Sequence, residues 1–324
     1  MKNNLIGIDI GGTKCAVTYG ISSDGSIEIV DKVRFDTAGV DATIAALLDN
    51  TAALMAKNGL DAANTASIGI SCGGPLDSRK GLIMSPPNLP GWDNIPIVEH
   101  FEKRFGIKTS VQNDANACAL AEWKFGAGRG YSNVVFLTFG TGMGAGLILN
   151  GQLYAGTNDN AGEVGHIRLE KTGPVGYGKA GSFEGFCSGG GIAQLARTRV
   201  MEKLQMGESV SFCSSMDALT DLTAKTVADA AKAGDALAAE IYHTCAHYLG
   251  RALSTLIDVL NPEIIVLGSI YCRAQALIEP AMREVIEREA LWHARRVCEI
   301  VPAGLGESIG DYAALSVAEN AIGN

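Results

Sequence analysis

The chain has 324 residues, 47% hydrophobic and 19% charged, and its 26 Lys and Arg against 35 Asp and Glu leave a net charge of −9. That length and apolar content suffice for two domains with their own cores, whereas an acidic chain without a basic run excludes nucleic acid or an anionic membrane as its main partner. No apolar stretch approaches the ~20 residues of a membrane span, Met1-Lys2-Asn3-Asn4 leads straight into a strand, and the eight cysteines are scattered without close pairs. The expectation is a cytoplasmic protein with reduced thiols.

Three strand-like runs open the chain, Leu5–Ile10, Lys14–Ile21 and Ile27–Phe35, joined by tight turns as a meander. An alanine-rich helix is predicted at Val40–Asn58, a buried strand at Ser67–Ser71, and a Gly- and Pro-rich loop from Cys72 to Trp92. A helix at Ile95–Phe105, a short strand at Thr109–Gln112 and a helix at Asp114–Gly126 complete an α/β half. A second start follows: strand Val134–Phe139, glycine turn Gly140–Gly146 and strand Leu147–Leu149 repeat the opening pattern without its acid. Beyond a glycine-dense loop at 156–182, helices are predicted at Gly189–Leu204, Thr223–Ala233 and Asp235–Leu260. A strand at Glu263–Leu267 ends in Gly268-Ser269, and a helix at Cys272–Ala290, a strand at Val297–Val301 and a helix at Ile309–Ala321 close the chain.

Between the first two strands lies Asp9-Ile10-Gly11-Gly12-Thr13-Lys14. Glycine has no Cβ, so the backbone N–H groups of such a turn can approach phosphate oxygens. An acid at its mouth with a hydroxyl and an amine beyond suits a metal-bound polyphosphate. Walker and Rossmann loops open a helix; here a strand follows, so this is a different phosphate loop. Asp9 reads as a Mg²⁺ anchor through water, because Mg²⁺ keeps part of its hydration shell beside one or two carboxylates. Alone it would read as a turn cap. The partner turn at Gly140 adds the weight, since two half-domains, each presenting a hairpin, would clamp one nucleotide.

Asn113-Asp114-Ala115-Asn116 stands between a strand and a helix, where open α/β sheets place ligands. Asp114 can accept a proton from a substrate hydroxyl, or Asn113 or Asp114 can simply cap the helix. A carboxylate at a helix N-terminus is a weak base, which phosphoryl transfer tolerates because its transition state gains most from positioning and charge neutralisation. Asn88, in Pro86-Pro87-Asn88-Leu89-Pro90-Gly91-Trp92, both donates and accepts, as a polyol requires. Glu163, His166 and Glu184 occupy the glycine-dense loop, where they can grip vicinal hydroxyls; His166 can equally be a metal ligand or a structural histidine.

Five ordered motifs resemble those of the ROK family of sugar kinases and repressors: Asp9 to Lys14, Asn88 to Trp92, Asn113 to Asn116, Gly140 to Gly146, and Ala161-Gly162-Glu163-Val164-Gly165-His166. Leu267-Gly268-Ser269 looks like the family's adenosine-side motif. The resemblance implies a two-domain α/β fold, actin-like and ribonuclease-H-like, with the active site in the interdomain cleft. The domains would be 1–113 plus 303–324 (small) and 114–302 (large). It further implies Asp114 as the base on the sugar 6-hydroxyl and a sugar held by Gly74, Asn88, Asn113, Glu163, His166 and Glu184. ATP would sit on Gly11, Gly12, Thr13, Lys14, Gly140, Thr141, Gly142, Gly144, Gly268 and Ser269, with Mg²⁺ near Asp9, in a homodimer. One departure is large. Where the family carries a cysteine-rich zinc run, this chain reads Val175-Gly176-Tyr177-Gly178-Lys179-Ala180-Gly181-Ser182-Phe183-Glu184. His166 and Cys187 supply two ligands where tetrahedral zinc takes four, so no structural zinc is expected, and packing of Val175, Tyr177 and Phe183 is expected to order the loop.

The function implied is an ATP-dependent hexose kinase, glucokinase-like, acting on glucose, with N-acetylmannosamine, allose, fructose or a β-glucoside as other acceptors. The different-class alternatives are a non-catalytic sugar sensor and a transcriptional regulator. The latter is disfavoured because family repressors carry a winged-helix module ahead of the sugar domain, whereas this chain begins at the phosphate hairpin.

Overall fold

The computed structural model describes residues 2–323. The chain forms two compact units, one holding everything up to Phe136 together with Gly146–Gly162 and Gly304 onward, the other Leu137–Ala145 and Glu163–Ala303. In chain order come β1 (Asn3–Ile10), β2 (Lys14–Ser23), β3 (Ser26–Asp36), α1 (Val40–Lys57), β4 (Thr65–Cys72), β5 (Leu76–Asp77), β6 (Leu82–Ile83), α2 (Ile97–Phe105), β7 (Thr109–Asn113) and α3 (Asp114–Phe125). Next are β8 (Val134–Leu137), β9 (Ala145–Leu149), β10 (Gln152–Leu153), β11 (Val175–Gly176), β12 (Lys179–Ala180), α4 (Phe183–Phe186), α5 (Gly189–Gln205) and α6 (Ala224–Lys232). The chain ends with α7 (Ala236–Leu260), β13 (Ile264–Leu267), α8 (Ile270–Glu289), α9 (Trp292–Arg295), β14 (Glu299–Pro302) and α10 (Ile309–Ile322).

The first unit is built on a sheet of order β3-β2-β1-β4-β7, in which β1 to β3 form the antiparallel meander and β4 and β7 run parallel to β1. β1 is buried on both faces, so its apolar run is nearly continuous. Its even positions Ile6, Ile8 and Ile10 pack with Leu47, Leu54, Phe101 and Trp92 on the face covered by α1 and α2. Its odd positions face α10, where Leu5 packs on Leu315 and Ala318. The close approach of α10 depends on Gly7 and Gly69, which are register partners. A Cβ on Gly7 would lie 3.0 Å from Ala314 and one on Gly69 would run into the Ala318 backbone. Ser67 Oγ fastens the same contact by donating to the Ala318 carbonyl at 2.7 Å.

In the second unit α7 presents Ala238, Ile241, Tyr242, Cys245, Leu249, Ala252 and Leu256 at helical spacing to its core. Gly250 lets α8 come close, since a Cβ there would sit 2.7 Å from the Met282 carbonyl and from Val285. β13 and β14 pair in parallel, Ile264 with Glu299 through Leu267 with Pro302.

Several strand ends differ from expectation, and at two of them the local reason is plain. The strand expected to reach Phe139 stops at Leu137, because Phe139 takes a left-handed φ of 37°. The strand expected from Val297 begins at Glu299, because the N–H groups of Val297 and Cys298 donate to Ala294 and Arg295 and extend the α9 turn.

A buried carboxylate ties the C-terminal segment into the first unit. Glu122, fully buried on α3, accepts from the backbone N–H groups of Ala127 (2.8 Å), Gly304 (3.0 Å) and Leu305 (2.9 Å). The three donors lie on half-buried or exposed residues, so water can take part of the carboxylate's place, and Glu122→Ala should lower the unfolding free energy in urea by about 1–3 kcal/mol, the cost of one lost buried partner. A loss below about 1 kcal/mol would show that water can replace the carboxylate.

Candidate functional site

In the first unit the register of three parallel strands aligns the predicted residues. Ile10 pairs with Cys72 and Cys72 with Asn113, so the glycine turn, the Gly73-Gly74 segment and the start of α3 all leave the same carboxyl edge. The turn is pinned by Gly11 N–H to the Lys14 carbonyl (3.1 Å) and by Thr37 Oγ1 donating to the Gly11 carbonyl (2.6 Å). Gly12, Thr13 and Lys14 are exposed. Gly12 is required sterically, since a Cβ would fall 2.5 Å from the Asn88 carbonyl. Buried Leu89 and Trp92 anchor the loop that carries exposed Asn88. The Asn88 amide lies over Gly73, within 3.4 Å of where its Cβ would be, and the Asn113 amide lies beside Gly74 at 3.0 Å by the same measure.

Asn113 is the N-cap of α3, its Oδ1 accepting from Ala115 N–H at 2.9 Å, and Asp114 is the first helical residue, its Oδ1 accepting from the same N–H at 2.8 Å. Asp9 ends the α10-facing row of β1, close to Gly310. Burial lifts its pKa to about 6, and the neighbouring carboxylates of Asp114 and Asp311 push the same way against the pull of Lys32 and Arg34. Asp311 is itself salt-bridged to Lys32 and accepts from Thr18 Oγ1 at 3.2 Å. Asp311 was not anticipated as a site residue; it is contributed by the last helix, and nothing in its flanking sequence signals a site.

In the second unit the glycine turn is closed on itself. Gly140 N–H donates to the Gly142 carbonyl and Thr138 N–H to the Gly144 carbonyl, both at 3.0 Å, while Gly144 N–H donates to Thr138 Oγ1 at 3.0 Å. Gly268 N–H donates to the Leu137 carbonyl and Ile270 N–H to the Phe139 carbonyl, so Gly268 and Ser269 lie beside this turn. Thr141 is exposed at its tip. The N-terminus of α5 abuts it, with Gly189 N–H donating to the Gly140 carbonyl at 2.8 Å and Ser188 Oγ capping Gly191 N–H. Such a helix start favours anions. The Ser188-Gly189-Gly190-Gly191 run announced a helix start in the sequence; only the structure brings it to the glycine turn. Ser269 holds a strained φ of 45°, and its Oγ accepts from Arg273 at 2.7 Å. Beyond it a cavity of about 580 Å³ opens between α6, α7 and α8, with Ala228, Tyr242 and Ile270 in its wall and Lys225, Asp229, Lys232 and Arg273 as its charged groups.

Glu163 precedes and His166 ends a single 3-10 turn at Val164–His166, and Glu184 lies in the first turn of α4. Glu184 Oε2 accepts from Met143 N–H at 3.0 Å, which binds this carboxylate to the glycine turn. Glycine at 142 permits the contact, because a Cβ there would lie 2.8 Å from Oε2. The ring of His166 meets Tyr177 edge-on at 5.2 Å.

The expected packing of the 175–184 loop is corrected in part. Phe183 is fully buried, whereas Val175 and Tyr177 are 45% and 68% exposed. Backbone hydrogen bonds do the ordering instead. β11 and β12 pair as a hairpin, Gln194 both donates to and accepts from the Val175 backbone, Lys179 Nζ donates to the His166 carbonyl at 2.8 Å, and Gly181 N–H donates to the Pro174 carbonyl. Cys187 is buried, with its thiol donating to the Cys245 carbonyl at 3.4 Å. Among the described residues no group of three or more His, Cys, Asp or Glu could hold a metal ion, and no helix is long and apolar enough to cross a membrane.

These two sheet-bearing α/β units, each with a glycine turn behind a strand, have the actin-like ATPase fold, as the solved structures below also show. The ROK family model matches residues 5–321, and the chain belongs to the ROK family. It is 32% identical over 326 residues to a glucokinase of Thermotoga maritima, covering 99% of each chain. It is 32% identical over 250 residues to the DNA-binding transcriptional dual regulator NagC of Escherichia coli, a match covering 76% of this chain and 59% of NagC. Among solved structures, a ROK family glucokinase from Streptomyces griseus in complex with glucose and AMPPNP superposes with a TM-score of 0.74 at 28% identity, over 98% of this chain and 100% of that one. A ROK hexokinase from Thermus thermophilus gives 0.79 at 27%, over 100% and 99%.

One clamp in the first unit has a direct test. Asp159, at a left-handed φ of 61°, accepts from Ser78 N–H at 2.7 Å and from Ser78 Oγ at 2.8 Å, tying 156–162 to the segment after Pro75. Asp159→Ala should raise the amide-exchange rate of Ser78 by about tenfold or more, the scale of one charge-assisted hydrogen bond. Unchanged exchange would show the clamp to be dispensable.

Proposed function

We propose that this chain is an ATP-dependent sugar kinase that phosphorylates the 6-hydroxyl of glucose or a closely related hexose. The observation that carries the reading is the strand register that sets Asp114 at the same sheet edge as Asp9 and the Gly11-Gly12 turn, with Asn88 and Asn113 beside them. Asp114 is assigned as general base: as the bond from O6 to the γ-phosphorus forms, Asp114 takes the hydroxyl proton, and the bridging oxygen leaves with ADP. Gly74, Asn88, Asn113, Glu163, His166 and Glu184 are assigned to the sugar hydroxyls. Gly11, Gly12, Thr13, Lys14, Gly140, Thr141, Gly142 and Gly144 are assigned to the phosphates, and Gly268, Ser269 and the cavity beside Arg273 to the nucleoside. The glucokinase relatives and the glucose and AMPPNP bound to the Streptomyces griseus enzyme support this choice of substrates.

The donor set fits Mg²⁺. Mg²⁺ takes one or two carboxylates beside water and substrate phosphates, and Asp9, at the mouth of the Gly11-Gly12 turn, supplies one, with the charges of Asp114 and Asp311 in electrostatic reach. Held by Asp9 through water, the ion would neutralise charge on the transferring phosphoryl group. Phosphoryl transfer places modest demands on the basicity of Asp114, so its position at the head of α3 is compatible with the role.

A sugar-sensing role without catalysis is the second reading, favoured by the similarity to NagC. A coupled ADP-release assay across glucose, N-acetylmannosamine, allose, fructose and a β-glucoside separates the two. Turnover on a hexose is expected, and none on any of them would leave the sensor. Asp114→Asn should then lower kcat at least ~100-fold with sugar affinity roughly kept, and near-normal turnover would remove Asp114 from the mechanism. We assign no structural zinc to the 166–187 region, because Cys187 is turned to the Cys245 carbonyl and backbone hydrogen bonds order the loop. Elemental analysis of purified protein should find no stoichiometric zinc, and one zinc per chain would overturn this assignment.

A further inference from the structure

A second cavity, of about 270 Å³, lies in the second unit between the C-terminal half of α8, α9, the end of α7 and β14. Three arginines line it, Arg283, Arg295 and Arg296, against the single carboxylate of Glu287. In a chain of net charge −9 this is a local excess of positive charge. None of these residues has a part in the phosphotransfer machinery described above.

Each guanidinium is positioned. Arg283 is paired with Glu279 and donates to the Ile300 carbonyl at 3.2 Å. Arg296 lies 4.6 Å over the ring of Trp292, which is 51% exposed. Arg295 is only 17% exposed and is salt-bridged through Nη1 to Glu287, itself 72% exposed. Its Nε is buried and has no hydrogen-bond partner among the described residues. A buried N–H without an acceptor is costly, so the Arg295 guanidinium retains a donor still to be satisfied. Cys298 adds no competing charge, because burial pushes its thiol up to about 12.

The fork of N–H donors on a guanidinium matches the oxygens of a phosphate. A weakly held surface carboxylate such as Glu287 is readily displaced by a dianion. The volume falls below the ~300 Å³ at which pockets for drug-sized ligands begin, so the occupant is small. We propose that this cavity is an oxyanion-binding effector site, in which Arg295 and Arg296 grip inorganic phosphate or the phosphate of a small monoester and Trp292 forms a platform beside it. The monoester source rests on the kinase reading, whose product is a hexose 6-phosphate; the oxyanion site itself does not.

Isothermal titration calorimetry of the full chain with inorganic phosphate and with glucose 6-phosphate tests it. Saturable binding of at least one probe is expected, weakened about tenfold or more by Arg296→Glu at an exposed position and by Arg295→Lys, which keeps the charge and loses the fork. Tighter binding of the ester would assign the sugar phosphate, and equal or tighter binding of inorganic phosphate would assign the free ion. No saturable binding of either probe, or binding indifferent to both arginine variants, would overturn the site. The inorganic-phosphate arm is independent of whether the chain turns over a hexose, and ester binding that both arginine variants leave intact belongs to the product's place in the catalytic site.

Discussion

The parallel register of β1, β4 and β7 is the constraint on which the first unit's chemistry depends. Ile10, Cys72 and Asn113 stand opposite one another, so three loops distant in sequence begin at one edge of the sheet. A slip of one residue in any of these strands would turn its side chains to the opposite face. The Ile6, Ile8, Ile10 row would then leave the α1 and α2 core, and Asp9 would leave the α10 side. The burial of that row therefore also aims the carboxylate. The energy that holds Asp9 beside Asp114 and Asp311 is apolar packing along β1, which is large enough to oppose the mutual repulsion of the three acids.

Close backbone approach is the second organising feature. Gly7 and Gly69 admit α10 to the sheet, Gly12 admits Asn88, and Gly142 admits Glu184. In each case a missing Cβ brings a polar or backbone group to a place that a larger residue would occupy. The same economy of side chain explains the altered loop between His166 and Glu184. It lacks thiolates and leaves Val175 and Tyr177 in solvent, yet a hairpin, the Gln194 amide and the Lys179 ammonium satisfy its backbone. Directional hydrogen bonds thus hold this loop with two of its apolar side chains left in solvent.

Much of this was legible in the residues. The apolar runs of Leu5–Ile10 and Ser67–Ser71, the glycine turns at 11–12 and 140–146, and the helix beginning at Asp114 are local signals, read from period and turn chemistry. The strand limits at Leu137 and Glu299 were not, because a left-handed Phe139 and the α9 turn set them. The exposure of Val175 and Tyr177 was not legible either. An apolar side chain in a loop carries no local indication of whether another element will cover it.

The sequence by itself determined the alternation of strands and helices, the two glycine turns and the set of acids and amides available for chemistry, since each is a property of neighbouring residues. Only the tertiary structure decided that Asp311 of the last helix joins Asp9 of the first strand, that Glu184 is bound to the second glycine turn, and that Arg283, Arg295 and Arg296 share one cavity. Those juxtapositions are made by packing and register between segments far apart in the chain, and long-range contacts of that kind leave no mark on the local pattern of either partner.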